Sequence, residues 1–290
     1  MPMEFLMMSD GPLAALGAAG FSGLRLWALL VGICTLGGLV LYFGFGSILY
    51  GLYYMRRRHE PELWKLQPGR FTPTKLHRWA ASVAAANLAL GGLLSGTFAF
   101  YIAQGGTSAL YLDIGEHSWV YTIVSTVFAF IFLEAAAYYV HRGLHNRWLF
   151  RKIHRWHHRV VAPTPFTTTT MHPAEFLAFQ VTAFLLTFFL PLWAGSFVGL
   201  LIYVLIFNML DHSGIAMWHA LPWQSSSRYH DDHHVYFHCN YGQNLIFFDR
   251  LHGTLRRRDR RYGAEVFGGR GAPPKEGSSF EYDDPYVDYY

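Results

Sequence analysis

The chain has 290 residues, of which 52% are hydrophobic and only 14% carry a charge. Because about a quarter of the residues in a soluble domain are charged, this composition excludes an ordinary soluble domain. The 28 glycines and 13 prolines argue against a coiled coil. The net charge of +4 does not indicate nucleic-acid binding, since the basic residues flank apolar segments and face lipid headgroups.

Four runs with few or no charges follow one another along the chain. Residues 26–55 and 79–103 contain no charged residue, 118–140 contains only Glu134, and 176–210 again contains none. About 20 apolar residues are enough for a helix to cross a bilayer. The sequence therefore predicts an all-α integral membrane protein with about four transmembrane passages.

The fourth run, residues 176–210, is long for one membrane span and short for two. Pro191 lies near its middle and can interrupt a helix. We therefore expect this run to enter the membrane and to return to the same side as a shallow or tilted hairpin.

The positions of lysine and arginine orient the chain in the membrane. Of the 23 basic residues, seven lie in residues 56–78, six in 141–166 and nine after His212, whereas 104–117 has none. Basic residues concentrate on the cytoplasmic side of membrane proteins. This predicts an N-terminus outside and a cytoplasmic histidine-rich cap, at the endoplasmic reticulum of a eukaryote or the inner membrane of a bacterium.

The predicted organisation has five parts. Residues 1–140 carry three transmembrane helices, 141–175 the first two cytoplasmic histidine blocks, 176–210 the membrane hairpin, and 211–262 the third cytoplasmic histidine block. Residues 263–290 are rich in Gly, Pro, Glu, Asp and Tyr, a composition that predicts a disordered tail.

Eight histidines form one HxxxH block and two HxxHH blocks, and a ninth closes the fourth apolar run. Side chains three or four residues apart share one face of a helix, and neutral imidazole binds iron, zinc, copper or nickel. Eight ligands are too many for one four-coordinate zinc ion. We therefore predict a site for two metal ions. The predicted ligands, which are also the predicted catalytic residues, are His141, His145, His154, His157, His158, His212, His230, His233 and His234.

Five further residues are candidates for supporting these ligands: Glu134, His172, Asn208, Asp231 and Asp249. A carboxylate inside a membrane helix is costly and usually functional. We expect Glu134, two helical turns before His141, to accept the spare N–H of a ligating histidine. Asn208 shares a helical face with His212, so it could contact the metals directly or through water. His172 could be a ligand itself.

Other classes of function fit the sequence less well. The chain has neither the HExxH motif of zinc proteases nor the GxSxG motif of many hydrolases. A metal-binding membrane transporter or sensor is the non-enzymatic alternative. A transporter is expected to place its ligands near the bilayer midplane on broken helices, whereas these histidine blocks follow the predicted spans.

The order of the blocks resembles the fatty acid hydroxylase/sterol desaturase superfamily over about residues 134–254. The stretches that carry the resemblance are HRGLH at His141–His145, PTPF at Pro163–Phe166, HPAE at His172–Glu175 and HDDHHVYFHCNYGQ at His230–Gln243. Within the superfamily the chain is most similar to the sterol C-5 desaturase (lathosterol oxidase) branch. The DHSG at Asp211–Gly214 is more similar to the methylsterol monooxygenase branch.

The resemblance implies a non-haem enzyme with two iron ions that uses O2 to remove hydrogen from a lipid, most directly by C-5 desaturation of a sterol. Hydroxylation or methyl oxidation of a sterol or fatty-acyl chain is the alternative. The resemblance also implies an external electron carrier, either a b-type cytochrome with its reductase or a ferredoxin. The basic segments Arg56–Arg58 and Arg256–Arg261 could dock an acidic carrier by electrostatic steering.

Overall fold

The computed structural model describes residues 20, 22–217 and 221–274, and these are mostly helical. The helices are α1 (Gly23–Leu49), α2 (Thr74–Ala103), α3 (Trp119–Leu144), α4 (Arg147–Lys152), α5 (Pro173–Leu186), α6 (Ala194–Asp211), α7 (Ser227–Tyr236) and α8 (Phe247–His252). A π-helical segment, Tyr50–Met55, continues α1, and 3-10 helices form at Pro61–Leu63, Ile114–Glu116 and His154–Arg159. The strands are β1 (Leu110–Tyr111) and β2 (Leu192–Trp193).

Within the described residues, four helical segments are long and apolar enough to cross a membrane: Gly23–Met55, Thr74–Ala103, Trp119–Leu144 and Ala194–Asp211. Large apolar side chains on their outer faces, such as Val40, Val120 and Phe128, are exposed. A row of exposed apolar side chains is stable against lipid but not against water. The predicted all-α membrane fold with about four passages is thus confirmed.

Helices α1 and α2 pack closely because α2 carries glycine where the two backbones meet. A Cβ added to Gly92 would lie 2.5 Å from the Cα of Thr35, and one added to Gly96 would lie 2.4 Å from the Cα of Val31. Small residues spaced by four allow this approach between membrane helices. The pair forms one side of the bundle.

The hairpin made by α5, β2 and α6 is deeper than the sequence predicts. Its tip pairs β2 in parallel with β1, Leu192 opposite Leu110, and the Tyr121 hydroxyl donates to the Pro191 carbonyl at 2.9 Å. Tyr121 lies in the first turn of α3, at the end of the bundle away from His141. The loop before α3 adds backbone hydrogen bonds, from Ala109 N–H to Thr187 O and from Leu192 N–H to Ala109 O. These contacts hold the hairpin tip at that end of the bundle.

The histidine-rich segments gather at the other end of the bundle, beyond the C-termini of α3 and α6. Part of the predicted disordered tail, residues 263–274, makes defined contacts there. Arg261 and Ala272 form an antiparallel bridge, and the Phe267 ring packs against the ring of His238. Residues 275–290, the rest of that predicted tail, lie outside the described residues, as do residues 1–19.

Candidate metal centre

All nine predicted ligands are buried at this end of the bundle, and their ring nitrogens fall into two groups. Within each group the candidate ligand atoms lie within 4.8 Å of one another. The first group is His141, His145, His154, His158 and His233, and the second is His157, His212, His230 and His234. The structure therefore brings together every histidine that the spacing singles out.

Each HxxHH block is divided between the two groups, which differs from the single shared face that its spacing suggests. His154 and His158 belong to the first group and His157 to the second. Consecutive residues point about 120° apart on the 3-10 helix His154–Arg159 and about 100° apart on an α-helix, so adjacent histidines face different centres. The same division separates His233 from His234. Two neighbouring centres are thus tied together by covalently adjacent residues.

Five of the nine rings have one nitrogen fixed by an oxygen acceptor. The Nδ1 atoms of His141, His154, His157, His212 and His233 lie 2.6–3.2 Å from Tyr241 O, Glu175 Oε1, Thr170 O, Asn208 O and Cys239 O respectively. A carbonyl can only accept a hydrogen bond. In each neutral ring Nδ1 therefore carries the proton, and Nε2 presents a lone pair to the group.

These lone pairs face one another at short range. His141 Nε2 lies 3.1 Å from His154 Nε2, and His212 Nε2 lies 3.1 Å from His157 Nε2. With both protons held at Nδ1, neither nitrogen of such a pair can donate to the other, so a shared cation satisfies both.

Burial keeps the imidazoles neutral. It lowers the pKa of His157 to about 4, the Thr170 carbonyl opposing the shift. Burial first and neighbouring histidines second lower the pKa of His145, His158 and His234 well below the usual value. Metal ions bind the deprotonated imidazole. At neutral pH the rings are therefore unprotonated and able to bind a metal ion.

Glu175 supports the site, and it was not among the predicted site residues. Its Oε1 accepts from His154 Nδ1 at 2.7 Å, and both side chains are 1% exposed. A carboxylate on the far nitrogen fixes the orientation of a ligating imidazole and raises its basicity. The signal was present in the HPAE stretch, where Glu175 follows Pro173 in the first turn of α5.

Glu134 does not take the role that the sequence predicts for it. In the described part of the chain its carboxylate accepts from the backbone N–H and side-chain amide of Asn244 and from Leu245 N–H, not from a histidine. The loop held in this way includes Tyr241, whose carbonyl bonds His141. Glu134 therefore acts on the site through the loop.

Three other candidates also lie outside direct contact with the ligands. Asp249 accepts from Tyr241 N–H, Gly242 N–H, Thr254 Oγ1 and the Tyr229 hydroxyl. Asp231, whose pKa burial raises to about 7, accepts from Gln67. The ring of His172 caps α5 by accepting from Ala174 N–H at 3.1 Å. Asp249 organises the loop before α8, and His172 organises the start of α5.

Asn208 contacts a ligand through its backbone. Its carbonyl accepts from His212 Nδ1 at 2.7 Å, and its side-chain amide donates to Gln243 at 2.9 Å. The prediction that Asn208 and His212 share a helical face is therefore correct, but the backbone oxygen of Asn208 makes the contact with the His212 ring.

Residues 126–254 match the family model described as fatty acid hydroxylase. This stretch contains all nine histidines and both Glu134 and Glu175. This stretch of the chain is therefore similar to the fatty acid hydroxylase family. The resemblance predicted from the histidine blocks is confirmed.

Curated relatives have names that refer to sterol oxidation. Lathosterol oxidase of Mus musculus is 32% identical over 161 residues, which cover 54% of each chain. The Delta(7)-sterol 5(6)-desaturase of Aspergillus fumigatus is 28% identical over 225 residues, 77% of this chain and 64% of the relative. The match thus spans about half the length of lathosterol oxidase. No solved structure matches the chain.

Proposed function

We propose that this protein is a membrane-bound non-haem di-iron oxidoreductase that uses O2 to introduce a double bond into a sterol at C-5. The observation that carries the proposal is the pair of adjacent histidine groups at the end of the apolar bundle. The similarity to proteins named lathosterol oxidase and Delta(7)-sterol 5(6)-desaturase supports the sterol and the position. All nine histidines are proposed as iron ligands.

Iron held by these rings would supply the redox chemistry that activates O2 for removal of hydrogen from an unactivated carbon. The chain itself supplies the fixed geometry. Carbonyl groups and Glu175 hold the Nδ1 protons, so the rings do not need to reorient when a metal binds. Because the groups lie where the spanning helices end, a sterol can approach from the bilayer without entering bulk water. We place this end on the cytoplasmic face.

Electrons must come from a partner, and we propose a b-type cytochrome with its reductase or a ferredoxin. The predicted segment Arg256–Arg261 is partly neutralised, since Arg256 Nε lies 2.8 Å from Asp232 Oδ2 in the interior. A second basic surface, formed by Arg151, Arg155 and Arg159, suits an acidic carrier better. These three residues line a cavity of about 470 Å³ that also contacts His158. Arg151 also lies 3.4 Å from Glu265.

The decisive experiment is expression in a host that lacks sterol C-5 desaturation, followed by mass analysis of its sterols. We expect a new ring-B double bond with the native chain and none with His157→Ala. His117→Ala is the matched control, because His117 packs against Tyr111 and Tyr121 at the opposite end of the bundle. If folded, iron-containing protein with a working reductant leaves the sterols unchanged, C-5 desaturation is wrong.

Hydroxylation or methyl oxidation of a sterol or fatty-acyl chain is the second candidate, and the description of the matching family as fatty acid hydroxylase favours it. Isotopically labelled O2 separates the two reactions. A desaturase product carries no oxygen from O2, whereas a hydroxylated product carries one labelled atom. A metal transporter or sensor would give neither product.

A further inference from the structure

His238 lies outside both groups of candidate ligands but is bonded to one of them. Its Nδ1 lies 2.9 Å from His145 Nδ1, and its Nε2 lies 2.9 Å from the carbonyl oxygen of Ala264. The rings of Phe267 and Phe150 pack against it at centroid distances of 4.2 and 4.8 Å. Both ring nitrogens of His238 are therefore engaged.

The partners of His238 determine which of its nitrogens carries a proton. The Ala264 carbonyl can only accept, so Nε2 of His238 is the protonated nitrogen. In the neutral ring, Nδ1 is then an acceptor, and the hydrogen bond to His145 requires a proton on His145 Nδ1. This leaves His145 Nε2 with a lone pair. That atom is buried without a hydrogen-bond partner among the described residues and belongs to the first group.

His145 thus differs from the five histidines whose Nδ1 bonds a carbonyl or carboxylate oxygen directly. We infer that His238 is a positioning residue: it fixes the tautomer and ring orientation of His145, so that His145 Nε2 faces the first group as a ligand. This inference rests on the proposed metal centre and names a residue that is not itself a ligand.

The segment that holds His238 lies beyond the stretch matched by the family model, which ends at residue 254. Residues 261–272 form a loop closed by two backbone hydrogen bonds between Arg261 and Ala272, of 2.8 and 2.9 Å. This loop supplies both the Ala264 carbonyl and the Phe267 ring. The chain after the matched stretch therefore completes the support of the first group.

Two substitutions separate a hydrogen-bonding role from a packing role. His238→Phe keeps an aromatic ring of similar volume but has no acceptor, whereas His238→Asn is smaller but places an amide oxygen near the position of Nδ1. If His238 only fills space, the Phe variant retains metal better than the Asn variant. If it accepts from His145, the order is reversed, even where the cavity in the Asn variant lowers the melting temperature.

The measurement is the iron content of purified protein in detergent and the rate at which a chelator removes iron. Loss of a hydrogen-bonding partner of a metal ligand weakens binding about 10- to 100-fold. We expect the chelator to remove one of the two ions from His238→Phe about 10- to 100-fold faster than from the native protein. For His238→Asn the rate of iron removal should stay within about threefold of the native rate. His252→Phe is the control, since His252 contacts Tyr138 and Tyr139 outside both groups.

The outcomes distinguish this inference from the proposed function. Native protein that binds no metal would overturn the metal centre itself. Native protein with two ions, and a His238→Phe variant that releases them at the native rate, would overturn only the role of His238. An Asn variant that loses iron as readily as the Phe variant would also overturn that role.

Discussion

Glu134 and Asn244, 110 positions apart in the chain, are joined by two hydrogen bonds inside the protein. The carboxylate of Glu134 accepts from the Asn244 backbone N–H at 2.9 Å and from its side-chain amide at 2.6 Å. The middle of α3 is thereby tied to the loop that carries Tyr241, the backbone partner of His141. The carboxylate of Glu134 in the membrane helix α3 is therefore explained by the hydrogen bonds through which it holds this loop.

Glu134→Gln should destabilise the protein. A glutamine has one acceptor oxygen in place of two, so at least one buried N–H of Asn244 or Leu245 loses its partner, which costs about 1–3 kcal/mol. Thermal unfolding in detergent should show a lower melting temperature and weaker iron retention. Glu116→Gln, at an exposed position, is the matched control. An unchanged melting temperature for Glu134→Gln would contradict this role.

The sequence predicted which histidines gather better than it predicted their hydrogen-bond partners. All nine histidines do gather, and those four residues apart share a group, as helical spacing predicts, whereas those three apart do not. The partners of Glu134 and Glu175 depend on how distant segments fold against each other. Helical spacing cannot show that Glu175 meets His154 while Glu134 meets Asn244, which comes 110 residues later.

The membrane fold shows the same limit. The lengths of the uncharged runs predicted the membrane spans, because the bilayer sets the length of a crossing helix. The depth of the hairpin depends on the pairing of Leu192 with Leu110, a contact between two-residue strands that carry no periodic signal. Likewise, composition predicted disorder after residue 262, whereas residues 263–274 pack against His238.

Glu175→Ala should weaken metal binding with little effect elsewhere. Removing the acceptor of His154 Nδ1 frees that ring to rotate, and we expect a 10- to 100-fold loss of affinity. Glu175→Gln keeps an acceptor oxygen and should fall between native and Ala. The chelator-dependent rate of iron loss measures this order.

His172→Ala is the control for Glu175→Ala, since His172 caps the same helix, α5, through Ala174. It should lower the melting temperature by a small amount while the rate of iron loss stays close to native. Equal iron loss from His172→Ala and Glu175→Ala would mean that only the start of α5 matters, and not the carboxylate.

Substitutions in the two histidine groups should remove different ions. His233→Ala acts on the first group and His157→Ala on the second, so each variant should retain about one of the two irons and the double variant neither. Elemental analysis of purified protein, with a spectroscopic signature of the paired site, measures this. Two irons per chain in either single variant would show that the divided arrangement is wrong.

Two glycine substitutions test the close packing of α1 and α2. Gly96→Ala places a Cβ 2.4 Å from the Val31 Cα, so the backbones must separate, whereas a Cβ at Gly37 meets nothing within 4 Å. We expect Gly96→Ala to lose about 1–3 kcal/mol from overpacking. Gly37→Ala should be neutral or up to about 1 kcal/mol more stable, from helix propensity. Equal melting temperatures would contradict this packing.

Lys65 should make stability depend on pH in the alkaline range. Its ammonium is buried above the rings of Tyr54 and Phe71, and burial lowers its pKa from 10.5 to about 8, with Asp231 opposing the shift. Below pH 8 the Lys65 side chain is protonated in both the folded and the unfolded chain, and the folded state bears the cost of burying its charge. Between pH 8 and 10.5 Lys65 is protonated only in the unfolded chain, so this loss of stability becomes smaller as the pH rises.

Lys65→Met removes this titration. At pH 7 the variant should be more stable than the native chain by up to about 3 kcal/mol, less whatever the cation–π contacts contribute. The advantage should shrink as the pH is raised from 8 towards 10.5. Melting temperatures of both proteins in detergent at pH 7.5, 8.5 and 9.5 measure the difference. Lys75→Met, at an exposed position, should follow the native curve. A Lys65→Met variant that is less stable at every pH, by a constant amount, would mean that the packing of the side chain outweighs its charge.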